Sequence, residues 1–170
     1  MDVLLRPVTD DDLDQIQSHS TGKEGAGEHQ WFGFRDLRAT RRELADNGLL
    51  SWEGGRLTVD VGGVSAGYVR WSKRTWGPWE TSWCWTLAIS LFPEFRGQGI
   101  GTEAQRELVA YLWAHSRAER IEAITDVTNL AEQRALEKAG FEREGVIRRA
   151  QWREGAWHDQ VLYSQVRPQV

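Results

Sequence analysis

The stretch from Ser82 to Thr125 constrains this chain more than any other. Between Ser82 and Leu91, Trp83, Trp85, Leu87, Ile89 and Leu91 alternate with Cys84, Thr86, Ala88 and Ser90. A period of two, with large side chains on one face and small ones on the other, is a strand with two different neighbours. Pro93 ends it, and the loop Arg96-Gly97-Gln98-Gly99-Ile100-Gly101 follows. From about Thr102 to His115, Ala104, Leu108, Tyr111 and Leu112 recur at helical spacing and form an apolar stripe. Arg120 to Thr125 then reads as a second strand. A β-loop-α-β unit of this kind places its two strands parallel, with a right-handed crossover.

The flanking segments supply antiparallel material. Val3 to Val8 reads as a strand, and Thr9-Asp10-Asp11-Asp12 as a capped helix start with acidic residues at the positive end of the dipole. Ser18 to Gly33 holds four glycines and reads as a surface loop carrying His29, Trp31 and Phe32. Asp36 to Asp46 is a polar helix stopped by Asn47-Gly48. Leu57 to Val61 and Val64 to Trp71, joined by Gly62-Gly63, form a hairpin. After Thr125, Asn129 opens a helix that ends at Gly140. Phe141 begins a last strand pair that turns near Arg153-Glu154-Gly155.

The chain has 170 residues and a net charge of −4, which suits one domain and leaves no basic footprint for nucleic acid. Its single cysteine, Cys84, can form no internal disulfide and belongs to no Cys/His cluster for a metal. No apolar run is long enough for a leader or a membrane span, so a cytoplasmic protein is expected. Ten tryptophans are unusual, and four of them fall between Trp76 and Trp85.

Glycines in alternation between a strand and a helix let backbone amides approach a diphosphate at the positive end of the helix. A tight packing turn is the competing reading. No Gly-Lys-Ser/Thr follows, which excludes a Walker A loop. A dinucleotide fingerprint would need glycine where Thr102 stands.

The same residues resemble the GNAT acetyltransferases. Arg96 to Gly101 matches that superfamily's R/Q-x-x-G-x-G/A motif for acetyl-CoA. Asn129 to Phe141, ending Leu136-Glu137-Lys138-Ala139-Gly140-Phe141, resembles the RimJ/RimL-like branch, as does Gly155-Ala156-Trp157-His158-Asp159. The resemblance implies a single mixed α/β (α+β) domain with a mostly antiparallel central sheet and helices on both faces. It also implies a parallel β4/β5 splay, a V-shaped opening between the strand ending at Leu91 and the one ending near Thr125. By the same resemblance, acetyl-CoA would lie along the backbone of Ile89 and Leu91. Its diphosphate would rest on Arg96, Gly97, Gln98, Gly99, Ile100, Gly101 and Thr102, with Asn129 and Arg134 beside it. The implied partner is an amine, either a small molecule or a peptide or protein N-terminus, and the implied assembly a monomer or homodimer.

The chemistry is less determined. Where the branch often has a serine three residues after the Asn, this chain has Glu132, and the tyrosine of other branches is replaced by Leu136. Glu132 can serve as a general acid if burial raises its pKa. Asn129-x-x-Glu132 is equally the spacing of a helix capping box. Asn129 and Ser90 complete the catalytic candidates. Asp126 reads as a loop or cap residue, and His158 as solvent-facing. Trp31, Trp79, Trp83 and Trp85 would line an aromatic acceptor pocket, or else serve core packing and a dimer surface. A non-catalytic acyl-CoA-binding module and a transferase of longer acyl groups are the rival functions.

Overall fold

A computed structural model describes residues 2–168. Strand β1 (Val3–Pro7) leads into α1 (Asp10–His19), whose start is fixed by a reciprocal capping box. The Thr9 Oγ1 accepts from the Asp12 amide at 3.3 Å, and the Asp12 carboxylate accepts from the Thr9 amide at 2.8 Å. The glycine-bearing loop contains a single helical turn, α2 (Lys23–Ala26), and is followed by α3 (Arg38–Asn47). Gly48, in left-handed conformation at φ 69°, stops α3. Strands β2 (Leu50–Ser51), β3 (Gly54–Val61), β4 (Val64–Thr75) and β5 (Trp83–Leu91) come next. A short 3-10 turn leads to α4 (Ile100–His115), β6 (Arg120–Asp126), α5 (Leu130–Lys138), β7 (Glu142–Arg153) and β8 (Ala156–Val166).

The strands form one eight-stranded sheet in the order β1-β3-β4-β5-β6-β8-β7, with β2 on β3. Two hydrophobic clusters cover its faces. One packs α4 and α5 through Ala104, Leu108, Leu112 and Leu136 against Val59, Val69, Trp85, Leu87 and Tyr163. The other packs Leu13, Ile16 and Leu37 with Phe92 and Tyr68. Alternate residues of β4, Tyr68 and Val69, enter different clusters, as the pleat requires.

The sheet corrects one expectation. The parallel neighbours are β5 and β6, whereas β4 and β5 are antiparallel from Gly67↔Leu91 to Thr75↔Trp83. A strand pair joined by a short link runs antiparallel; only the crossover through α4 can return a strand in the same direction. The two-residue β2, unmarked in the sequence, also shifts the strand count.

Parallel pairing of β5 with β6 covers only Trp85↔Ile121, Thr86↔Glu122 and Leu87↔Ala123. Beyond Leu87 the strands diverge, and the edge of β5 from Ala88 to Leu91 faces a cleft. On its other side β5 is held tightly. Gly67, at φ 144°, lies where an added Cβ would sit 2.1 Å from the Ser90 carbonyl oxygen.

Candidate active site

The diverging strands make the floor of a cleft whose outer part is walled by the start of α4 on one side and by α5 on the other. Gly97 and Gly99 adopt φ 72° and 81°, in the left-handed region that glycine occupies without strain. Gly99 is the N-cap of α4, and a Cβ at either glycine would meet nothing within 4 Å. The first backbone bond of the helix runs from the Glu103 amide to the Gly99 carbonyl. Among the described residues, the amides from Gly97 to Thr102 therefore donate to no carbonyl, as expected of a helix start left open for an anion.

Arg96, Gly97, Gly99, Gly101, Thr102, Asn129 and Arg134 all line this part of the cleft, with Ile89, Ser90 and Leu91. Two loop side chains are directed elsewhere. Ile100 is buried in the core, and Gln98 Nε2 donates to the Glu94 carbonyl at 2.6 Å. The Arg96 guanidinium is also committed. Its Nε donates to the Leu91 carbonyl at 2.8 Å and its Nη2 to that of Gly25 at 2.5 Å, which fastens α2 over the loop. Arg134 and Lys138, one helical turn apart on α5, take part in no ion pair among the described residues and supply positive charge along the opposite wall. Lys138 and Gln30 were not singled out in the sequence. Gln30 Nε2 donates to the Ile89 carbonyl at 2.7 Å, on the free edge of β5.

Deeper in, the cleft continues between His29, Gln30, Trp31, Ala88, Ile89, Ser90, Thr125, Asp126, Asn129 and Glu132. Ser90, Asn129 and Glu132 are thus brought together. The Asn129 side chain caps α5, accepting from the Glu132 amide at 3.3 Å and donating from Nδ2 to Thr125 Oγ1 at 3.1 Å. The other half of the capping box does not form. The Asn129 amide bonds instead to the Asp126 carbonyl, and the Glu132 carboxyl accepts from Gln105 Nε2 at 2.5 Å. Burial pushes the Glu132 pKa up to about 7, with the bond from Gln105 pulling it part of the way back. Gln105 is a fully buried amide on the apolar face of α4, and no sequence motif marks it.

Asp126 and His158 are also engaged. Asp126 Oδ2 accepts from Arg153 Nη2 at 2.6 Å, and both side chains are buried. Burial raises the Asp126 pKa, but the Arg153 guanidinium and the Thr128 amide and hydroxyl outweigh this and hold it at about 2. His158, expected in solvent, is half-buried, with Nδ1 3.4 Å from the same carboxylate.

The tryptophans separate. Trp31 lines the deep cleft, but Trp79 is exposed and lines neither part. Trp85 is buried in the core against α4, where its Nε1 donates to Ser116 Oγ at 2.8 Å, and Trp83 packs edge-on to it at 5.2 Å. The alternation of β5 explains this: its large-residue face is the α4 face, and the strand enters the cleft only at its far end.

Comparison with known proteins agrees with this architecture. The sequence model of the acetyltransferase (GNAT) domain matches residues 2–142. A Bacillus subtilis protein described as a probable N-acetyltransferase, YjcK, is 40% identical over 72 residues, which cover 42% of this chain and 40% of that protein. A second from the same organism, the uncharacterized N-acetyltransferase YoaA, is 32% identical over 82 residues, 48% of this chain and 46% of its own length. The matches thus span less than half of these curated relatives.

Among solved structures, RimL, a ribosomal L7/L12 alpha-N-protein acetyltransferase in complex with coenzyme A, superposes with a TM-score of 0.78 at 18% identity. That superposition covers 96% of this chain and 93% of RimL. Spermidine N-acetyltransferase from Vibrio cholerae, in complex with CoA and spermine, gives the same score and identity over 96% and 95% of the two chains. At such identities the likeness is one of fold. The family model spans most of the sequence, from β1 to the first residue of β7, and the chain belongs to the GNAT acetyltransferase family.

Proposed function

We propose that this protein is an N-acetyltransferase that moves the acetyl group of acetyl-CoA onto a primary amine, either of a small molecule or of a peptide or protein N-terminus. One observation carries the reading. A carboxyl with its pKa raised to about 7, Glu132, stands at the junction of a cleft whose outer half offers unpartnered amides and whose inner half is enclosed by β5, β6 and the loop bearing Trp31.

The residues suit the cofactor. The open space at Gly97 and Gly99, the amides from Gly97 to Thr102 and the charges of Arg134 and Lys138 fit a diphosphate. The free edge of β5 offers the Ile89 and Leu91 carbonyls to an extended amide-bearing arm, with Gln30 and Arg96 holding them in place of that arm. Acetyl-CoA supplies the activated acyl thioester. Asn129 fixes the start of α5 and so aims Glu132 at the cleft. With its pKa raised by burial to about 7, Glu132 can exchange a proton near neutral pH. It can therefore accept one from an incoming ammonium group or return one to a departing thiolate. Such help contributes about 10²- to 10⁴-fold, with orientation in the cleft supplying much of the remainder.

The test is thiol release from acetyl-CoA across a panel of amines, with peptides among them. Amine-dependent release supports the transferase. Heat on titration of coenzyme A without amine-dependent release would leave a binding module instead, and no heat would refute both.

A further inference from the structure

Arg56 of β3 and Arg70 of β4 are direct cross-strand partners, so their side chains leave the same face of the sheet opposite one another. Like charges placed this way repel. The next residue in the row is Ala88 of β5, on the cleft floor beside Ser90. Arg56 is half-buried over the Tyr68 ring at 4.8 Å. Burial lowers its pKa, Arg70 and Arg35 push in the same direction, and Tyr68 and Glu43 oppose them.

Several arginines of the chain have carboxylate partners: Arg6, Arg41, Arg74, Arg120 and Arg153 each sit within 4 Å of one. Arg35, Arg56 and Arg70 take part in no ion pair and no side-chain hydrogen bond among the described residues. Glu43 of α3 lines the same opening as Arg56 and Arg70, beyond ion-pair distance. Arg35 and Arg70 face the inner cleft that holds Ser90, Asn129 and Glu132. None of the three arginines borders the outer half, with its glycine loop.

We propose that Arg56 and Arg70, with Arg35 above them, form an oxyanion subsite of the acceptor cleft. The acceptor is then an amine that carries a carboxylate or phosphate. Strand spacing places that anion about 5–10 Å from the row of Ala88 and Ser90, where the nitrogen is acetylated. Guanidinium groups suit both anions through paired N–H donors, and an anion between Arg56 and Arg70 relieves their repulsion. A polyamine would meet like charge here. This inference rests on the amine-acetyltransferase reading above and narrows its substrate class.

Matched acceptors test it: C-terminally amidated tripeptides differing only as Glu against Gln, and phosphoethanolamine against ethanolamine. The first pair reports a carboxylate and the second a phosphate. A charge-assisted contact predicts that the anionic member of at least one pair has a kcat/KM about 10- to 100-fold higher, carried by KM. In the double variant Arg56→Gln/Arg70→Gln that preference collapses, while the KM for acetyl-CoA, whose half of the cleft neither arginine borders, stays unchanged. Equal use of both members of each pair, or a preference that survives in the double variant, overturns the subsite and leaves the transferase standing.

If no amine is acetylated, the transferase reading fails, and inorganic phosphate still decides the subsite. At constant ionic strength it raises the Tm of the wild type more than that of the double variant if the subsite exists. Equal shifts overturn it.

Discussion

Replacing Glu132 with Gln tests the centre of the site through two independent readouts. A carboxyl held near 7 instead of its ordinary 4.5 carries an ionisation penalty of about 3 kcal/mol in the folded state. This is a ceiling, because the cleft admits water. The folded protein binds this proton more tightly than the unfolded chain. Below pH 4.5 both forms are protonated and the group contributes no difference. Between 4.5 and about 7 the unfolded chain releases its proton first, so stability falls as pH rises, and above 7 the full penalty applies. Gln keeps the shape and can still accept from Gln105, but it never ionises. Glu132→Gln should therefore match the wild type near pH 4 and exceed it in Tm at pH 8. At about 2–4 °C per kcal/mol for a chain of this size, the gain reaches about 6–12 °C. The same substitution should remove the limb near pH 7 from the kcat/KM profile and lower turnover by about 10²- to 10⁴-fold. A melting profile parallel to the wild type from pH 4 to 8 would show that the carboxyl is solvated. Unchanged turnover would show that no proton of the reaction passes through it.

Other positions give sharper structural tests. Gly67→Ala puts a Cβ 2.1 Å from the Ser90 carbonyl oxygen, so β4 and β5 must part; soluble expression and Tm should both fall, and a fully stable variant would refute the close approach. Arg153→Met leaves the Asp126 carboxylate buried without its partner and should cost about 3–5 kcal/mol in urea unfolding. In the wild type that pair stabilises above pH 3.8, and its contribution disappears as pH falls through about 2. Trp31→Ala should raise the acceptor KM while Trp79→Ala leaves it unchanged, since of the two Trp31 lines the cleft; a KM effect from Trp79 would favour the aromatic-pocket reading of the sequence over the packing one.

What the sequence disclosed depended on how locally each feature is specified. The alternation of β5, the Gly62-Gly63 hairpin and the Thr9 cap are short-range patterns, and they appear where they were read. The open loop before α4 was also legible, because positive φ values at Gly97 and Gly99 need glycine. The spacing of Asn129 and Glu132 served two structures equally well. The tertiary contact with Gln105, 27 residues away, takes up the carboxyl that the cap would otherwise use. The tryptophan cluster was open to two readings for a related reason: Trp79, Trp83 and Trp85 are neighbours in sequence, and the strand directs its large face to α4. Arg56 and Arg70 lie on different strands, and sheet register alone brings them together.

The brevity of the β5–β6 contact has a mechanical consequence. Among the described residues, three rungs are the whole backbone seam between the β1–β5 half of the sheet and the β6–β8 half. An extended amide-bearing molecule in the gap would act as a surrogate strand, lengthening the seam by its own donors and acceptors. Loading should then slow hydrogen exchange along Ala88 to Leu91 and on both sides of the junction together. The unloaded protein should open there at a lower free energy than it unfolds as a whole.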